Sequence, residues 1–323
     1  MREQRKFGIR TPALTSDRPR RKYYLIYEGV KTEAIYFDAL IKRRDDVGIN
    51  DIIDLVPIVR SYSERGDSHP QKILENVMTA VEESQDSTIS YRTLLDWIMD
   101  GLEEFGDIQS YDDIRPRIWR MLEFICSEQM GTSLDSKLYK EEIRQQGEQI
   151  IDSFLKEFKW PGIVRHIEKV LDAERCLTYD REVDKICLII DRDHKSFNSH
   201  QYDEVLQQCR EQGFGFYLSN PCFEFWLLLH FPEVLNLTDE EREQLFLNNK
   251  WDGEKRTPKR TYAENMVRRL MPSYKKNRYD AIGLMDNVKV AIENAKHFCE
   301  DEQALKDHLG SRVGILLAEM SNK

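Results

Sequence analysis

Lys185-Ile186-Cys187-Leu188-Ile189-Ile190-Asp191-Arg192-Asp193 is the stretch that sets the fold. Its apolar run shows no polar alternation and is far shorter than a typical helix. It reads as a strand covered on both faces, the kind that parallel sheets contain. A second run of the same kind, Tyr23-Tyr24-Leu25-Ile26-Tyr27, ends in Glu28-Gly29. Working outward, Ala34, Phe37, Leu40 and Ile41 share one face of a helix over about 32–43. Residues 52–59 read as a further strand, and Pro57 assigns it to a sheet edge, where a missing N–H is tolerated. Pro70 opens a helix over 70–83 with Ile73, Val77, Ala80 and Val81 at helical spacing. A helix over 202–211 and a short strand over 215–218 follow. Ser219-Asn220-Pro221 then reads as a helix start for 222–231, with Asn220 as N-cap and Pro221 at the first helical position. The alternation predicts an α/β fold, a Rossmann-like parallel sheet flanked by helices.

Between the two halves of that pattern lies a segment, 84–180, with helical patterns only: Leu94, Trp97, Ile98 and Leu102; Ile118, Met121, Leu122 and Ile125; Ile150, Ile151, Phe154 and Phe158. The expected organisation is a basic arm over 1–20, an α/β domain from 21–83 and 181–232, an all-helical insertion over 84–180, and a helical C-terminal region over 233–323. Residues 81–180 hold 22 acidic and 12 basic residues, against 58 and 48 in the whole chain. The net charge of −10 therefore belongs to that segment, and the remainder balances. The aromatics of the segment, including Trp97, Trp119 and Trp160, read as its own small core. The six cysteines form no CxxC pair, and several sit in apolar runs, which speaks for reduced core thiols over zinc ligands or disulfides. The longest apolar stretches, 225–229 among them, are too short to span a bilayer. No membrane association and a cytoplasmic location are expected.

The chemistry resides where the strands end. Right-handed crossovers bring the carboxyl ends of parallel strands to one edge, the usual ligand edge of open α/β sheets. Glu28 follows one buried strand, and Asp191 and Asp193 follow another. Two residues apart in extended chain, the aspartates share a face. Three carboxylates so gathered raise one another's pKa and call for a cation, and oxygen-only ligands select Mg²⁺ or Mn²⁺. A lone DxD is a weak signal, often a solvated loop; the glutamate at the end of an equally apolar strand strengthens it. Glu224, one turn into the helix, reads equally as an acid favoured by the helix dipole and as a further metal or water contact. Asn220 reads as a helix cap that also reaches substrate. Lys31 reads either as a phosphate contact or as a solvated helix-start lysine. His230 reads as a core histidine. Lys275, Lys276 and Arg278, near Arg268 and Arg269 and beside Tyr274 and Tyr279, suit a surface that grips a backbone and stacks bases.

Three blocks carry a family resemblance: Tyr-Glu-Gly-Val-Lys-Thr-Glu at 27–33 with Tyr36 and Phe37, Asp191-Arg192-Asp193, and Ser-Asn-Pro-Cys-Phe-Glu-Phe-Trp-Leu-Leu-Leu-His-Phe at 219–231. In content and order they resemble the RloB-like family over about 20–80 and 184–318, with a looser likeness at 274–276 and 309–313. The segment 84–180 departs from that likeness. The resemblance implies a Toprim fold, with Glu28, Asp191 and Asp193 as the catalytic, metal-binding carboxylates. It also implies a metal-dependent nuclease acting as an effector in anti-phage defence, restrained by an ABC-type ATPase partner. RNA, with tRNA favoured, is the expected substrate, and DNA nicking is the alternative. A glycosyltransferase using the DxD on a nucleotide sugar and a non-catalytic Toprim scaffold are the rivals from other classes. Self-association is left open.

Overall fold

The structure, a computed structural model, describes residues 21–29, 31–58, 69–104, 114–158, 171, 179–251 and 260–321. The basic arm 1–20 and Trp160 lie outside the described residues. The chain divides into two compact units. One takes described residues from 75 to 180; the other takes those from 21 to 58, 69 to 74 and 181 to 321.

The larger unit is built on a five-stranded sheet. In chain order, β1 is Arg21–Tyr27 and β2 is Ile53–Ile58. Counting Thr88–Ser90 and Lys137–Tyr139 of the smaller unit as β3 and β4, the next sheet strands are β5, Lys185–Asp191, and β6, Gly215–Asn220. The short pairs Lys250–Trp251 and Arg260–Thr261 are β7 and β8, and Gly310–Ser311 is β9. The sheet order is β2-β1-β5-β6-β9. The first four strands run parallel and β9 is antiparallel to β6. Pro57 does lie on the edge strand, paired to β1 alone. Residues 186 to 190 of β5 are all almost fully buried, which is why their sequence shows no alternation.

Helix α1 (Thr32–Lys42) and the turn α2 (Arg44–Val47) link β1 to β2. Tyr23, Leu25 and Tyr27 of β1 and Cys187 and Ile189 of β5 point into the core that holds Tyr36, Phe37 and Leu40 of α1. After α3 (Pro70–Gln85), α4 (Tyr91–Glu104), α5 (Arg115–Phe124) and α6 (Ile143–Phe158), the sheet unit resumes with β5 and α7 (Ser199–Gln212). Asn198 and Gln201 form a capping box at the start of α7, and Gly213 closes it at φ 73°, where a side chain would be strained. Helix α8 (Phe223–Leu228) follows β6. The C-terminal part consists of α9 (Asp239–Leu247), α10 (Tyr262–Leu270), α11 (Ala281–Leu284), α12 (Val288–Ala295) and α13 (Val313–Ser321), together with β7 to β9.

Two sequence expectations change. Asn220 is not the cap of α8: it is the last residue of β6, and the extended residue Cys222 precedes the helix. The reason is that the Asn220 amide is committed elsewhere. Its Nδ2 donates to the carbonyl oxygen of Leu305 at 2.8 Å, and its Oδ1 lies 3.0 Å from His194 Nε2. The predicted helix over 222–231 is accordingly six residues long. In the smaller unit, helices do surround one core, but β3 and β4 add an antiparallel ladder with Ile89 opposite Leu138. Strands of three residues are too short to leave an alternating pattern. Trp97 and Trp119 pack against that core, as their reading required.

Candidate active site at the carboxyl edge of the sheet

Adjacent parallel strands place Glu28 and Asp191 together. Tyr27 pairs with Ile189, and the Glu28 N–H donates to the Ile189 carbonyl at 3.1 Å. The Glu28 side chain then turns across the strand ends, where its Oε2 accepts the Asp191 N–H at 3.0 Å. Asp191 in turn accepts the Phe223 N–H at 2.8 Å. That donor is one of the unsatisfied amides of the α8 N-terminus, so a carboxylate from β5 serves the helix that Asn220 does not cap.

Two more carboxylates complete the cluster. Glu224, in the first turn of α8, is 2% exposed, and its Oε1 accepts the Tyr274 hydroxyl at 2.8 Å. Glu33, in the first turn of α1, is 5% exposed and folds back over Gly29. A Cβ at residue 29 would fall 2.2 Å from a Glu33 carboxylate oxygen, so a side chain there would displace the end of Glu33. Burial pushes the Asp191 carboxyl well above the ordinary range, and Glu33, Glu28 and Glu224 push it further. Burial also raises Glu33, to about 7, and Glu224 adds to the rise. Lys276 opposes the shift in both groups. Its Nζ lies 3.3 Å from Glu224 Oε1 and 2.9 Å from Glu264 Oε1. Burial by itself would lower the Lys276 ammonium, and Glu224 and Glu264 more than offset it.

Asp193, predicted to join the cluster, faces its own turn: its oxygens accept the Lys195 N–H at 3.0 Å and the Ser196 hydroxyl at 2.9 Å. The structure thus brings Asp191 and Glu28 together, while the Asp193 carboxylate bonds its own turn. Arg192, between the two aspartates, is buried and donates to the carbonyls of Lys306 and Phe197. Asn220 is completely buried; its amide holds His194 and the 305–306 segment. Lys31 is exposed at the N-terminus of α1. Lys275 and Arg278 are exposed and pair through their backbones, making a tight turn that carries Lys276. His230 is a core residue, 3.0 Å from the Tyr36 hydroxyl and 3.1 Å from the Trp226 carbonyl, and burial lowers it to about 4.

Sequence reading did not single out Glu33 or Glu264, and it placed Tyr274 on a base-stacking surface, whereas that ring is buried and its hydroxyl bonds Glu224. Glu33 stood inside the quoted block 27–33, five residues after Glu28, and only the turn of chain at Gly29 brings it back. Tyr274 and Glu264 come from 50 and 40 residues beyond Glu224, a separation that no local pattern spans.

Oxygen-only donors such as these carboxylates are of the kind that hard divalent cations take, but their present placement does not form a binding site for one. Among the described residues, no group of three or more His, Cys, Asp or Glu side chains is placed so that it could hold a metal ion. A comparison with family descriptions matches residues 124–320 to the RloB-like protein family. The chain belongs to the RloB-like family. The RloB-like match takes in β5, β6, Asp191, Asp193, Glu224 and the turn bearing Lys275, Lys276 and Arg278; Glu28, Lys31 and Glu33 precede it. It begins inside the segment 84–180. No curated protein and no solved structure is significantly similar to the chain.

Proposed function

We propose that this RloB-like protein is a Toprim-type nuclease that hydrolyses phosphodiester bonds with Mg²⁺ or Mn²⁺. The observation that supports this most is the contact between Glu28 and Asp191 at the ends of adjacent parallel strands, with Glu33 and Glu224 beside them. Parallel α/β sheets bind ligands at this edge, and so many buried carboxylates are costly unless a cation or proton joins them. A bound divalent cation would supply charge stabilisation on the phosphate and a deprotonated water. Asp191 and Glu28 would hold it, with Glu224 as a further ligand. Asp191 also accepts the Phe223 N–H at the start of α8. Lys275 and Arg278 on the exposed turn, with Lys31, would hold the nucleic-acid backbone. Asp193 would contribute from its present place by fixing the 193–197 turn.

The family context favours an effector in anti-phage defence, restrained by an ABC-type ATPase and cutting RNA, tRNA first, over one that nicks DNA. The scaffold reading has one observation in its favour: Glu28 and Asp191 both bond backbone amides and so already serve the fold. Induction in cells, with and without the neighbouring gene, tests the proposal. Toxicity relieved by the neighbour, with cleaved tRNA and intact chromosome, is expected. Fragmented chromosome with intact tRNA overturns the RNA assignment, and equal toxicity in both strains overturns the restraint.

A further inference from the structure

Asn220 fixes the tautomer of the histidine that follows the end of β5. Its Nδ2 donates to the carbonyl oxygens of Leu305 and Lys306, at 2.8 and 3.4 Å. Carbonyl oxygens only accept, so the amide has one orientation and its Oδ1 faces His194. His194 Nε2, 3.0 Å away, then carries a proton and donates it. Nδ1 bonds nothing among the described residues, and in the neutral ring it is an acceptor. His194 is exposed, in the turn three residues after Asp191. Its ring packs on the half-buried Phe246, with centroids 4.7 Å apart and planes inclined at 58°. Phe246 lies near the end of α9, and Asn248 ties that end to the start of α8 and to α10. The Asn248 Nδ2 donates to Cys222 Sγ at 3.4 Å, and its Oδ1 accepts the Ala263 N–H at 3.0 Å. The Lys195 ammonium, next in the chain, is exposed and 3.4 Å from Asn249 Oδ1. A fully buried amide thus holds an exposed aromatic ring at the ligand edge of the sheet, with a lysine beside it.

We propose that His194, backed by Phe246, is the seat of one unpaired nucleotide: the ring stacks the base, and Nδ1 accepts a hydrogen from that nucleotide. The inference rests on nucleic acid being the substrate, as proposed above, and narrows it to strands with an unpaired base. An aromatic face selects such bases because paired ones are already covered by their neighbours in the helix, whereas a base in a loop or single strand has a face free to stack. Stacking alone tolerates every base. The acceptor adds a choice, since it is satisfied by a ribose 2′-hydroxyl or by an exocyclic amine such as that of cytosine, and a nucleotide that brings neither leaves it unpaired. Lys195 supplies a cation for the phosphate that follows the seated base.

Fluorescence anisotropy of the full chain tests this, with labelled oligocytidylate, oligouridylate and oligodeoxycytidylate and a fully paired duplex of the same length. EDTA is present, so binding is read without cleavage. His194→Gln keeps a donor for Asn220 and removes the ring. It should weaken binding of the single strands about tenfold and leave duplex binding unchanged. His194→Phe keeps a ring and removes both nitrogens. It should keep most of the single-strand affinity and lose the choice made by Nδ1. That choice is between oligocytidylate and oligodeoxycytidylate if the 2′-hydroxyl is the donor, and between oligocytidylate and oligouridylate if the amine is. His297→Ala, an exposed histidine after α12, should change nothing. Should His194→Gln fold poorly, Phe246→Leu removes the ring behind the seat and should weaken single-strand binding in the same direction. Unchanged single-strand affinity in the folded variant, or an equal loss for single strands and duplex, overturns the seat and leaves the nuclease reading standing. No preference in the unaltered chain, or one that His194→Phe retains, overturns the role of Nδ1. A chain that binds none of these nucleic acids overturns the substrate reading and the seat with it.

Discussion

Glu33 is buried near Asp191 and Glu224, and burial with Glu224 holds it at about 7 instead of the ordinary 4.5. A carboxyl raised on folding gives stability that is whole below its unfolded value and is lost as pH rises through its folded value. For Glu33 the loss runs from about pH 4.5 to about pH 7. Glu33→Gln removes it. In EDTA, the variant should gain on the unaltered chain by on the order of 3 kcal/mol between pH 4 and pH 8, read from urea unfolding at each pH. A difference that stays flat across that range contradicts the placement of Glu33. His230 gives the opposite slope. Its folded value is lowered to about 4, so its contribution is complete above its ordinary 6.5 and is lost as pH falls through about 4. His230→Gln should therefore flatten the acid side of the stability profile, and a profile unchanged below pH 6 counts against a buried, neutral imidazole.

At the scale of elements, β6 and the segment that packs on its end depend on Asn220. Its side chain is fully buried and serves the Leu305 carbonyl and His194. Asn220→Ala leaves that carbonyl without its donor and should cost about 2 to 3 kcal/mol in denaturant unfolding. A loss below about 0.5 kcal/mol would mean the amide is not structural. Asn220 also marks the limit of what was legible in sequence. Strands buried on both faces announce themselves by composition, so β1, β5 and the edge position of β2 were readable from Tyr23 to Tyr27, Ile186 to Ile190 and Pro57. Glu28 and Asp191 followed, because strand ends in a parallel sheet meet at one edge. Asn220-Pro221 misled, because the same dipeptide suits a helix start and a strand end, and a contact 85 residues away decides between them. Asp193 shows why sequence alone does not fix an orientation: two residues past a strand end the chain is free to turn, and here the carboxylate bonds that turn.

For the whole molecule, charge is partitioned. The segment 81–180 carries the net −10, and the unit built on the sheet carries the carboxylate site together with Lys275 and Arg278. No helix of the described residues is long and apolar enough to cross a membrane. An acidic unit repels nucleic acid and suits a basic protein partner. Lys275→Glu with Arg278→Glu should weaken RNA binding and lower the slope of log affinity against log salt by about two, one for each phosphate that is no longer neutralised. An unchanged slope in fluorescence anisotropy removes these residues from the substrate surface. The central claim, that the carboxyl edge of this sheet cuts phosphodiester bonds with a divalent cation, is tested most directly by incubating purified protein with labelled tRNA and with plasmid DNA. Cleavage of either in Mg²⁺ or Mn²⁺, abolished by EDTA and by Asp191→Asn in protein that remains folded, is the expected result; cleavage that persists in EDTA, or that Asp191→Asn leaves intact, contradicts it.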